Sequence, residues 1–126
     1  MRDDIASEQT GGALVAEVQG ELDIDSVLRW TTVLEAAICE LPGPHLLVLD
    51  LGRLEFLSVR GAVGVLRVFA LCRERRMAGC LIAPSGGEVE RAVRLTGLNV
   101  QVPVFAHRLL AIAAYQPVEM RWWLSC

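Results

Sequence analysis

The run His45-Leu46-Leu47-Val48-Leu49-Asp50-Leu51-Gly52-Arg53-Leu54-Glu55-Phe56-Leu57-Ser58-Val59-Arg60-Gly61 decides the fold class. From Leu46 to Leu49 apolar residues follow one another without alternation, the pattern of a strand buried on both faces and therefore central in a sheet. After Leu51 the chain reads as a short turn, and Ser58 is placed to cap the helix that follows. From Val59 to Arg76, Val63, Leu66, Phe69 and Ala70 recur at helical spacing, with Arg67 and Glu74 one stripe away. A buried strand feeding an amphipathic helix through a short link is half of a β-α-β unit.

The flanking sequence repeats that alternation. Upstream, Ala13 to Gln19 is a short strand behind the turn signal Thr10-Gly11-Gly12, so it reads as the second arm of a hairpin begun near Asp4 to Glu8. A first helix is expected from Asp25 or Ser26, either of which can cap it, through Leu28, Val33, Leu34, Ala37 and Ile38, until Pro42-Gly43-Pro44 stops it. Downstream, Gly79 to Ala83 reads as the next strand. Ser85-Gly86-Gly87-Glu88 has capping-box spacing before a third helix, which Thr96-Gly97 ends. Val100 to Phe105 reads as a last strand, at an edge because Pro103 cannot donate to a ladder, and a fourth helix is expected from about His107 to Tyr115.

The expected architecture is one α/β domain with a mixed, mostly parallel sheet of four to five strands and about four helices. Residues 1–12 form an N-terminal segment with the first hairpin arm, 13–115 the domain and 116–126 a tail. Such sheets carry their functional loops at the carboxyl ends of the strands. Here those loops hold Asp23 and Asp25, then Glu55 to Gly61, then Pro84 to Glu88.

Composition excludes several chemistries. The chain has 126 residues, a net charge of −3 and a hydrophobic fraction of 53%, which suits one buried core. All 12 basic residues are Arg. Without Lys there is no Walker A phosphate lysine, no Schiff-base lysine and no Ser–Lys dyad. Mild acidity argues against direct contact with nucleic acid. Met1 to Thr10 carries Asp3, Asp4 and Glu8 and no apolar h-region, and charges such as Asp50, Arg67 and Arg73 interrupt the apolar runs. A soluble, cytoplasmic protein without membrane contact is expected. Cys39, Cys72, Cys80 and Cys126 form no C-x-x-C pair and no metal-finger spacing with His45 or His107, so buried reduced thiols and no metal site or cofactor are expected.

The start of the second helix is the most informative site. Its unpaired N–H groups and positive dipole end favour an anion or a phosphorylated side chain, and Arg60 adds a cation. The plain alternative is that Ser58 serves as an ordinary N-cap. At this point the sequence resembles the STAS domain family of bacterial anti-sigma factor antagonists, over roughly Leu14 to Ala114. The resemblance is carried by Gly20-Glu21-Leu22-Asp23, Leu47-Val48-Leu49-Asp50-Leu51, Phe56-Leu57 before a helix, Leu81-Ile82-Ala83-Pro84-Ser85 and Arg94-Leu95-Thr96-Gly97-Leu98. It implies a non-catalytic protein that binds a kinase-like anti-sigma factor and so frees a sigma factor.

Antagonists of this family carry Asp-Ser-Ser-Gly at the start of the second helix, and the first Ser is the phosphoacceptor. Here the four residues are Ser58-Val59-Arg60-Gly61. Val59 stands at the acceptor position without a hydroxyl, and Ser58, where the family has Asp, is the remaining candidate for phosphorylation. The resemblance places the partner surface on Ser58, Val59, Arg60, Gly61, Gly64 and Arg67. Two other roles stay open, an adaptor subunit of a transport or sensory complex and a nucleotide or small-molecule sensor, and so does pairing of two copies.

Other candidates have plainer readings. Asp23 and Asp50 lie near strand ends like phosphoacceptor carboxylates, but the lysine that receiver domains need is missing, and capping and loop hydrogen bonding explain both. His45 and His107 read as surface or cap residues, since no nucleophile elbow accompanies them. The loop Pro84 to Gly87 reads as a helix start. Arg73, Arg75 and Arg76 suit a helix C-terminus, and Arg91 and Arg94 can pair with Glu88 and Glu90. Trp122 and Trp123 are expected to pack on the domain or on a partner.

Overall fold

Alternation of apolar side chains along neighbouring strands sorts the core into two layers. The computed structural model describes residues 5–10, 12–40 and 46–115. Strands β1 (Ile5–Thr10) and β2 (Ala13–Leu22) form the expected antiparallel hairpin. Strands β3 (Leu46–Leu57), β4 (Ala78–Ile82) and β5 (Val104–Phe105) follow in parallel, in the spatial order β1-β2-β3-β4-β5. The helices are α1 (Val27–Glu40), α2 (Val59–Glu74), α3 (Glu88–Thr96), α4 (Leu98–Gln101) and α5 (Arg108–Ala114). The α/β class and the mostly parallel sheet are as expected, with α3 followed by the extra short α4.

On one face of the sheet, Leu14, Ala16 and Val18 of β2 and Leu47, Leu49 and Leu51 of β3 meet Trp30, Leu34 and Ile38 of α1, Val65 and Val68 of α2, Val93 of α3 and Leu98 of α4. On the other, Ala13, Val15, Leu46, Val48, Cys80 and Ile82 lie beneath Ala111 of α5. β3 thus has both faces covered over Leu46 to Leu51, and each fully buried Leu or Val there contributes about 1.5–3 kcal/mol. Burial also pushes the Cys72 thiol up to about 11, against a smaller downward pull from Arg73, and the Cys80 thiol up to about 12. Both thiols stay protonated at neutral pH. Cys39, also expected to be buried, is exposed, and Cys126, Trp122, Trp123 and His45 lie outside the described residues.

Several local expectations are corrected. The expected turn after Leu51 is strand, because β3 absorbs extra residues in bulges: Glu17 pairs with Asp50 and Gln19 with Arg53, then Gly20 pairs with Leu54 and Glu21 with Phe56. Ser26 directly precedes α1, but its hydroxyl turns back and donates to the Glu21 carbonyl at 2.6 Å. The buried stripe of α1 is Trp30, Leu34 and Ile38, while Leu28 and Val33 are exposed. In α2 the inner face is Gly61, Ala62, Gly64, Val65, Val68, Phe69 and Cys72, and Val63 is exposed. Ser85 does not cap α3, which begins two residues later than its spacing requires, with Gly87 at the cap. Glu90, three positions into that helix, accepts from the Gly86 N–H at 2.8 Å. Finally, Gly97 closes α3 in the left-handed region at φ 80° and the chain re-enters a helical turn, so Val100 and Gln101 belong to α4 and the edge strand β5 keeps two residues.

Candidate partner interface

The junction between β3 and α2 is built around one hydroxyl. Ser58 is extended at φ −88° and ψ 171°, the geometry of an N-cap, and its Oγ accepts from the Gly61 N–H at 3.0 Å. The same Oγ donates to the Leu22 carbonyl at 3.1 Å, and the Ser58 N–H donates to that carbonyl at 2.9 Å. Ser58 therefore ties the end of β2 to the start of α2, and its hydroxyl both donates and accepts within the fold. Gly61 is required by this closeness, since a Cβ there would stand 2.3 Å from the Leu22 carbonyl oxygen.

Gly64 serves the next contact along α2. Its missing side chain lets α1 approach so closely that a Cβ would stand 2.4 Å from Cγ2 of Val27 and 3.4 Å from the Trp30 ring. Gly61 and Gly64 were expected on the partner surface, and the structure turns both inward instead. Val59, Arg60, Val63 and Arg67 are left as the outer face of the helix. Val59 is 70% exposed. With Val63 and Arg67 it forms an i, i+4, i+8 row, apolar at the helix start and basic further along.

The neighbouring turn is polar and ordered. The Asp23 carboxylate accepts from the N–H groups of Asp25 and Ser26 at 3.0 and 3.1 Å, as its reading as a capping residue requires. His107 likewise caps α5, its Nδ1 accepting from the Leu109 N–H at 3.2 Å.

Asp50 does more than the expected loop hydrogen bond. It is 7% exposed, accepts from the Gly52 N–H at 2.8 Å and from Arg108 Nε at 2.6 Å, while Arg108 also donates to Glu17 at 3.1 Å. This cluster on the α5 face joins residues 58 and 91 positions apart in the chain, and no local spacing signals it. Among the described residues no three His, Cys, Asp or Glu side chains are grouped to hold a metal ion, and no helix is long and apolar enough to cross a membrane.

The STAS domain profile matches residues 4–110. The chain belongs to the STAS domain family. Solved structures similar to this STAS domain include an anti-sigma factor antagonist from Mycobacterium paratuberculosis, 26% identical with a TM-score of 0.70 over 87% of this chain and 91% of that one. The Bacillus cell fate determinant SpoIIAA in its phosphorylated form is 22% identical, with a TM-score of 0.63 over 87% and 97%. A sulfate transporter family protein from Wolinella succinogenes is 19% identical, with a TM-score of 0.68 over 82% and 84%. No curated protein matches the chain significantly.

Proposed function

We propose that this STAS domain is a cytoplasmic, non-catalytic antagonist that docks a kinase-like anti-sigma factor on the outer face of α2, so releasing a sigma factor without itself touching DNA. The observation that carries the reading is the outer face of Val59, Arg60, Val63 and Arg67 beside the N-cap Ser58, which offers an apolar centre and basic flank to a partner. The similarity to antagonist structures over most of the chain supports it.

Regulation differs from the phosphorylated relative. A phosphate adds about −1.5 to −2 charges and undoes a docked interface by repulsion and desolvation. Val59 has no oxygen to accept one, and Ser58 spends its hydroxyl on Leu22 and Gly61. This antagonist therefore stays competent in the presence of the kinase and ATP.

One binding experiment tests the reading. The chain is titrated against the kinase-like anti-sigma factors of its source organism, with ATP present, and its mass is read afterwards. Wild type is expected to bind and remain unmodified, and Arg60→Glu to lose about tenfold in affinity with the thermal transition unmoved by more than a few degrees. Equal binding by Arg60→Glu overturns the assigned face; stoichiometric phosphate on Ser58 overturns the insensitivity.

A further inference from the structure

Beyond Asp50, β3 runs on without the neighbour it has earlier. β4 ends at Ile82, opposite Asp50, whereas β3 continues to Leu57 with β2 along its other side. Among the described residues, 51–57 therefore have a strand along one edge only. Among the described residues no loop makes a backbone hydrogen bond to the open edge, and the Gly52 N–H is turned onto the Asp50 carboxylate. Unpaired strand edges are templates for another extended chain.

Helix α3 stands beside this edge, and an open groove of about 240 Å³ runs between them. It is lined by Glu55, Phe56 and Leu57 in succession and by the α3 face carrying Glu88, Ala92 and Leu95. Successive strand residues point to opposite sides of a sheet, so a groove lined by three in a row follows the strand's edge and its backbone. Leu95, on the α3 side, is 76% exposed, and Phe56, which pairs with Glu21 and points to the opposite side of the strand from buried Leu57, is 50% exposed. Arg91 adds a cation to the rim. Glu55 and Glu88 have no ion-pair partner among the described residues.

We propose that this groove receives an extended segment of another protein, which adds to the open edge of β3 as a further strand. The segment sets one apolar side chain on Ala92 and Leu95, an adjacent one on Phe56 across the strand, and a basic side chain beside Glu55 and Glu88. Main-chain hydrogen bonds supply affinity in such an arrangement, and alternate side chains supply selectivity. The surface is separate from the outer face of α2, so the full chain presents two docking surfaces, and failure of one leaves the other standing.

The probe is a phage-displayed library of random nonapeptides panned against the full chain, followed by synthesis of the most enriched sequence. Enriched peptides are expected to alternate apolar residues with others and to carry Lys or Arg. The synthetic peptide should protect backbone amides within residues 53–57 from hydrogen exchange. It should weaken about tenfold against Glu88→Arg, and similarly against Glu55→Arg, and lose binding when its alternate amides are N-methylated. Both variants change exposed side chains, and circular dichroism confirms that each is folded. Absence of an enriched sequence, equal binding to both variants, or equal binding by the N-methylated peptide overturns the proposal.

Discussion

On one face of the sheet, α1 to α4 press Trp30, Leu34, Val65, Val68 and Leu98 onto the strands, and glycines at 61 and 64 let α2 sit almost in backbone contact with its neighbours. On the other face, among the described residues, α5 is the helix present, and beside buried Ala111 it has a polar tie: Arg108 reaches down to Asp50 and Glu17. The first face is a close-packed layer in which a single added carbon has nowhere to go. The second is a short helix fastened at its first turn. A dense layer resists substitution by volume, and a fastened helix depends on a few charged hydrogen bonds.

Gly61→Ala should produce the largest effect. Its Cβ would meet backbone, which cannot rotate away, and the expected loss is about 3 kcal/mol in urea denaturation, with the whole domain unfolding cooperatively. A loss below about 1 kcal/mol would mean that α2 can slide, and the dense layer would be looser than described.

Asp50→Ala comes next. It leaves Arg108 Nε and the Gly52 N–H without their acceptor, at about 2 kcal/mol, part of the charge being rehydrated because Arg108 is about a third exposed. The comparison between faces is sharpened by where the loss falls. Hydrogen exchange should quicken in α5 while α1 and α2 keep their protection, and uniform loss would show that α5 is bound into the same cooperative unit.

Ser58→Ala is the smallest of the three, at about 1 kcal/mol, the cost of an N-cap. The Ser58 N–H still reaches the Leu22 carbonyl in that variant, so the strand end stays in place and a small shift of the thermal transition is the expected reading. A cost above about 2 kcal/mol would make the Oγ bond to Leu22 the principal tie between β2 and α2.

Much of this was legible from local pattern. The hairpin, the strand beginning near Leu46, the start of α2 behind Ser58 and the stop at Gly97 are each written in a few adjacent residues. The inward face of α2 was not, because Gly61, Ala62 and Gly64 carry little apolar signal while exposed Val63 carries more. Small residues are buried there to bring backbones together, a requirement set by α1 and β2. The second half of β3 was hidden for a related reason. Gly52, Arg53 and Glu55 resemble a turn, and only bulged pairing with β2 keeps them extended.

By itself the sequence determined the α/β class, the opening hairpin with the strand beginning near Leu46, and the lack of a hydroxyl at position 59, because each depends on residue identity and short-range periodicity. The tertiary structure alone decided which side of α2 faces outward, that Asp50 and Arg108 meet across 58 positions, and that β3 outlasts β4. Those outcomes depend on distances between segments remote in sequence, and periodicity within one segment carries no record of what another segment will bring against it.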